Sequence, residues 1–131
     1  MRANNLIAFG GILAGVGVAL GAFASHGLKK ILSPYLLDVF SIAVQYQFIH
    51  ATAIILCGML LLMKLGTKAQ KYFFISAICF IIGIFCFSGS LYALALTGVK
   101  WFGPITPLGG MTFMVGWALF VYAALQIKRG E

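Results

Sequence analysis

The sequence predicts an all-α integral membrane protein: one domain, residues 1–131, folded as an antiparallel bundle of four transmembrane helices with both termini cytoplasmic. Three observations carry this. Hydrophobic residues make up 63% of the chain and charged residues 8%, whereas a soluble domain is about half apolar and roughly a quarter charged. The apolar residues fall into four runs, each near the ~20 residues that a helix needs to cross a bilayer. The nine Lys and Arg residues lie at the ends of those runs. A soluble fold of this length leaves too much surface exposed to hide such a composition. No strand-period alternation that could close a barrel is present, so helices are the backbone solution in lipid.

The first helix is expected over residues 6–24. It is rich in glycine, and Gly11–Gly15 and Gly17–Gly21 each form a GxxxG pair. Small residues four apart let helix backbones approach closely where apolar side chains alone give no reason to associate. With no bulky stripe, this helix is expected to be central and tightly packed, with a homo-oligomer contact as the alternative use of its glycines. Arg2, the apolar core and Ala22-Phe23-Ala24 also fit a secretory signal with its cleavage site. The glycine content exceeds what a signal core needs and favours a retained helix.

Between His26 and Asp38 the chain carries Leu28, Ile31, Leu32, Tyr35 and Leu36 at helical spacing beside Lys29 and Lys30. This suits a stretch at the headgroup interface. Ser33-Pro34 reads as an N-cap followed by proline at the first helical position. The second helix therefore starts near Pro34, ahead of its hydrocarbon-spanning part at residues 40–63. KLGTKAQK, Lys64 to Lys71, is a tight, wet hairpin. The third helix is expected over residues 72–96, followed by a loop in which Lys100 and Trp101 anchor the interface. Gly98, Gly103, Pro104, Pro107, Gly109 and Gly110 impose turns there. Thr106-Pro107 caps the fourth helix in this reading, over residues 108–127.

Basic residues set orientation, with the excess on the cytoplasmic side. Arg2, Lys64, Lys68, Lys71, Lys128 and Arg129 share one face, six in all, against three, Lys29, Lys30 and Lys100, on the other. The termini are therefore placed inside a bacterial cytoplasmic membrane. The formal charge of +7 is read as this topology signal, and nucleic acid is not expected as a partner. Cys57, Cys79 and Cys86 lie within apolar runs without a CxxC pair. They read as small buried hydrophobes.

Polar residues within the spans are costly and generally face the bundle interior. They form the candidate pocket or interhelical network: Gln45, Tyr46, Gln47 and His50 on the second helix, Ser88, Ser90 and Tyr92 on the third, and Thr112 on the fourth. Tyr46 and Gln47 stand four and three residues before His50, so their side chains are within reach of it. Ser90 matches His50 in depth, which makes contact between them plausible as a hydrogen bond or as a nucleophile with its base. Asp38, the one acid before Glu131, is about 18 Å away along a helix from His50. Ser–His catalysis therefore lacks an acid to orient the imidazole. No metal-ligand spacing and no GxGxxG phosphate loop are present, so no metal or cofactor is expected. All these polar positions fall in the outer half, and the inner half is nearly devoid of polar residues. That weakens a channel or carrier within one chain.

GAFASHGL at 21–28, YQFIH at 46–50, FSGSLY at 87–92 and TPLGG at 106–110 occur together in this order. With these motifs, spread over nearly the whole chain, the sequence resembles the small membrane proteins grouped as the domain of unknown function 423 family. The family pattern has a further glycine where this chain has Ala24. The resemblance implies a four-helix inner-membrane protein and brings no catalytic residues with it. The functional expectation is a non-catalytic membrane protein, a scaffold or accessory to a membrane assembly. The alternatives are a small-molecule or lipid-binding protein with an outer-leaflet pocket at Gln47, His50, Ser90 and Tyr92, or a transporter built by oligomerisation. The expected partners are the lipid bilayer and a second copy or a larger membrane complex.

Overall fold

A computed structural model describes residues 2–128. Arg129, counted above in the charge balance, and the ends of the 1–131 domain lie outside the described residues. Four long helices follow one another: α1 (Ala3–His26), α2 (Pro34–Leu61), α3 (Thr67–Thr97) and α4 (Ile105–Leu125). Each contains an 18-residue window apolar enough to cross a membrane. Successive helices run antiparallel. Short 3-10 turns, Leu28–Lys30 and Lys100–Phe102, fill the two connections on one face.

The helices start earlier than apolar content alone indicates. α2 begins at Pro34 because the Ser33 hydroxyl accepts from the Leu36 N–H at 3.2 Å and proline occupies the first helical position. At 28 residues it is about 42 Å long, so its first turns lie at the interface and not in hydrocarbon. Gly66, at φ 95°, lets the Lys64–Lys71 hairpin reverse before α3. The Thr106-Pro107 cap is corrected. α4 starts at Ile105 behind Pro104 with no side-chain cap, and the Thr106 hydroxyl is engaged elsewhere.

α3 is not a uniform helix. Regular α geometry over Thr67–Gly83 and Gly89–Thr97 is separated by a π turn at Ile84–Ser88. Such a turn accommodates one additional residue within a helix. Gly109 of α4 packs on its outer side so closely that a Cβ there would lie 2.7 Å from the Phe87 Cα. The contact is backbone on backbone, and only glycine admits it.

α2 is the central helix. Half of its spanning window is buried, against 22% in both α1 and α4. This corrects the expectation of a central α1, which lines one side of α2 and leaves its opposite face open. The buried stripe of α1 is Leu6, Gly10, Leu13, Gly17 and Ala24. Its tightest points are Gly10 against Ala51 and Ile55 of α2, and Gly58 of α2 against Ala3 and Ile7. Gly11 and Gly15 have open space beside them, while Gly17 meets Gln47 and Phe48, and Gly21 meets Val44. One residue turns a helix by about 100°, so Gly11 and Gly15 point away from the seam that Gly10 makes. The spacing marks a face able to pack, and α2 uses the neighbouring one.

The larger apolar core draws on all four helices, with Leu6 of α1 beside Ile54, Cys57, Phe73, Phe80 and Phe113. A second cluster, around Leu28, Phe40 and Ala95, closes the end that carries Lys29 and Lys100.

Candidate functional site

The buried polar side chains are distributed as ties between helices. Gln47, 3% exposed, sits where α1, α2 and α3 meet. Its amide nitrogen donates to the Leu13 carbonyl of α1 at 2.7 Å, and its oxygen accepts from the Tyr92 hydroxyl of α3 at 2.6 Å. The donor and acceptor of one side chain thus bind two different helices. Phe40 packs against the Tyr92 ring, with centroids 4.9 Å apart.

His50 is placed four residues further into the membrane than Tyr46, whose carbonyl lies 2.7 Å from His50 Nδ1. A carbonyl only accepts, so Nδ1 carries the hydrogen. On the other side the indole Nε1 of Trp117 lies 3.0 Å from His50 Nε2. An indole only donates, so Nε2 is bare. The two partners together select the neutral Nδ1–H tautomer. The Phe113 ring stacks on the imidazole at 3.5 Å between centroids and 10° between planes. Phe80 and Trp117 close the remaining sides at 5.4 and 5.8 Å.

On α3, the π turn directs the Ser88 hydroxyl to the Ala43 carbonyl of α2 at 2.8 Å. Ser90 donates to the Phe87 carbonyl at 2.9 Å and meets the Thr106 hydroxyl of α4 at 2.6 Å. With its one hydrogen used on Phe87, Ser90 accepts from Thr106. Towards the Lys64 face, Ser76 donates to the Gly116 carbonyl of α4 at 2.8 Å. Among the described residues no buried polar side-chain atom lacks a partner.

The expected His50–Ser90 contact is therefore not made. His50 engages α4 through Trp117, and Ser90 engages α4 through Thr106. A Ser–His nucleophile pair has no geometry here. Three further candidates stand apart from the network. Gln45 is exposed and the Tyr46 ring half so. Thr112 donates to Leu108 of its own helix at 2.9 Å, a back-bond that spends its one hydrogen within α4. Trp117, Thr106 and Ser76 are network members that sequence reasoning missed. Trp117 reads as one more apolar residue of α4, although its depth, 12 residues past Ile105, was available as a signal. Ser76 also modifies the picture of an inner half without polar groups.

Beside His50 a groove of about 870 Å³ opens between α2 and α4, lined by Tyr46, Ile49, Phe87, Met111, Met114 and Trp117 among others. A smaller, more polar cavity of about 370 Å³ lies between the end of α1 and the start of α2. Cys57, Cys79 and Cys86 are free, and no three His, Cys, Asp or Glu side chains cluster among the described residues.

Comparison with known proteins gives a consistent result. A family model described as a protein of unknown function (DUF423) matches residues 20–110. The UPF0382 inner membrane protein YgdD of Escherichia coli K12 is 33% identical over 129 residues, covering 98% of this chain and 95% of that protein. A UPF0382 membrane protein of Staphylococcus saprophyticus is 38% identical over 121 residues, covering 92% and 97%. One of Staphylococcus aureus is 37% identical over 120 residues, covering 92% and 94%. No solved structure matches the chain.

Proposed function

The chain belongs to the DUF423 family and is a multi-pass inner-membrane protein; from that premise we propose that its role is non-catalytic, as a scaffold or accessory subunit of a membrane assembly, with both termini in the cytoplasm. One observation carries this reading. The polar side chains buried in the bundle are engaged by one another or by main-chain carbonyls. A catalytic or transport site holds groups ready for a substrate, whereas these groups hold helices. The polar groups of the pocket expected at Gln47, His50, Ser90 and Tyr92 are already bonded, Gln47 to Tyr92, His50 to Trp117 and Ser90 to Thr106. A transporter formed by oligomerisation would need polar groups in the Lys64-side half, and the Ser76 hydroxyl there is already bound to Gly116.

The reading is tested by purifying the full chain from native membranes in mild detergent and measuring its mass and its companions. A defined membrane protein recovered in fixed ratio, and reassembled from purified components, supports the reading. A companion-free monomer overturns it. Independently, His50→Ala and Ser90→Ala are expected to lower thermal stability in detergent. Unchanged stability with loss of a bound small molecule would instead mark a ligand site.

A further inference from the structure

One face of α2 lines two openings in turn and changes character along its length. Leu37, Ser41, Gln45 and Ile49 follow each other at four-residue steps and so line consecutive turns of that face. Nearest the Lys29 end, Leu37, Ser41 and Gln45 form one wall of the 370 Å³ cavity, whose opposite wall brings Ser25 and Lys29. Deeper, Gln45 and Ile49 form one wall of the 870 Å³ groove, whose opposite wall is Met111, Met114 and Trp117 of α4. Gln45 lines both, so the polar cavity and the apolar groove adjoin at that residue.

The four polar side chains of the cavity contrast with those of the interior. Among the described residues, Ser25, Lys29, Ser41 and Gln45 make no side-chain hydrogen bond within the chain. Asp38, the one acid among the described residues, is not in the lining. The cavity thus offers an ammonium, two hydroxyls and an amide, with no carboxylate on its wall. Polar groups beside hydrocarbon gain from a partner, and an ammonium with hydroxyl and amide donors suits phosphate oxygens. The order in depth also matters. Both helices that form the groove enter from the Lys29 face, at Pro34 and Ile105, and Trp117 lies about 18 Å below that entry. Polar first and apolar below is the order of a phospholipid in the adjoining leaflet.

We propose that this face of α2 binds one phospholipid, with its phosphate held by Lys29, Ser25, Ser41 and Gln45 and an acyl chain laid in the groove beside Trp117. This is separate from the scaffold reading and is tested separately. The detergent-solubilised full chain is titrated in native mass spectrometry with palmitoyl-oleoyl phosphatidylglycerol, the diacylglycerol of the same chains, and glycerol 3-phosphate. One phosphatidylglycerol is expected to bind in preference to both controls. The double variant Lys29→Gln/Ser41→Ala is expected to weaken it by at least about tenfold, through the loss of a charge-assisted contact and a neutral one. Ile49→Trp, which fills the groove, is expected to weaken it as well. Diacylglycerol bound equally well, or a double variant that binds unchanged, overturns the phosphate site. Glycerol 3-phosphate bound as tightly as the lipid overturns the groove. A measurement free of changes in the site uses the Trp101→Phe chain in bilayers, where Trp117 alone fluoresces. Phosphatidylglycerol with dibrominated chains is expected to quench it more than brominated diacylglycerol at equal mole fraction, and equal quenching overturns the proposal.

Discussion

Trp117 donates its indole hydrogen to the Nε2 of His50 across 3.0 Å, and this one bond both joins α4 to α2 and fixes the imidazole tautomer. Trp117→Phe keeps the ring against Phe80 and Phe120 but leaves Nε2 without a donor. The expected loss is about 1 kcal/mol, near the range found for hydrogen bonds inside membranes. A nitrogen-15 spectrum of His50 checks the tautomer directly: in the variant the Nε2 resonance moves while Nδ1 stays protonated.

Gln47 links three helices through one amide, so its removal costs more than one bond. Gln47→Leu takes the second donor from the Leu13 carbonyl, which keeps its bond within α1, and leaves the Tyr92 hydroxyl unpaired. A fall in stability of about 1–3 kcal/mol is expected in reversible unfolding from detergent. In a double-mutant cycle with Tyr92→Phe, a coupling of about 0.6 kcal/mol or more is expected. A coupling of zero would mean that the two side chains do not meet.

Gly109 and Gly110 are adjacent in sequence and opposite in what they tolerate. A Cβ on Gly109 enters the Phe87 backbone, whereas one on Gly110 sits 3.8 Å from the Phe87 ring, at ordinary contact. Gly109→Ala is expected to lower stability by about 1–3 kcal/mol, as overpacking does, and Gly110→Ala to leave it nearly unchanged. The same comparison applies on α1. Gly10→Ala destabilises and Gly15→Ala does not, read as melting temperatures in one detergent.

Orientation follows from accessibility. With cytoplasmic termini, Lys100→Cys in intact cells is labelled by a membrane-impermeant maleimide and Lys68→Cys only after the cells are opened. The reverse pattern would invert the topology.

The four spans were legible because length, apolarity and flanking charge are local properties. The start of α2 was legible too, since Ser33-Pro34 is a local chemical signal. The interior network was half legible. Depth matching brought His50 and Ser90 to attention, but their partners depend on helical phase and on which helices adjoin. Most acceptors are backbone carbonyls, at Leu13, Ala43, Tyr46 and Gly116, and every residue carries one. Trp117 was overlooked for a related reason, because an indole in an apolar run shows its hydrogen-bonding edge only once a histidine faces it. The glycines of α1 showed a packing capacity, while the side that α2 occupies depends on Ala51, Ile55 and Gly58 across the seam.

The π turn at Ile84–Ser88 makes the length of α3 a constraint of its own. On its Lys64 side, Ser76 addresses α4, and within the turn itself Ser88 addresses α2. If the turn closed into regular α geometry at unchanged length, everything beyond it would rotate by about 100°. Ser88, Ser90 and Tyr92 would then miss Ala43, Thr106 and Gln47 together, with no side chain altered. The π geometry, and not any one side chain, thus holds these three ties in phase with Ser76. A one-residue gap at this turn is therefore the change of length that α3 can absorb with its partners kept.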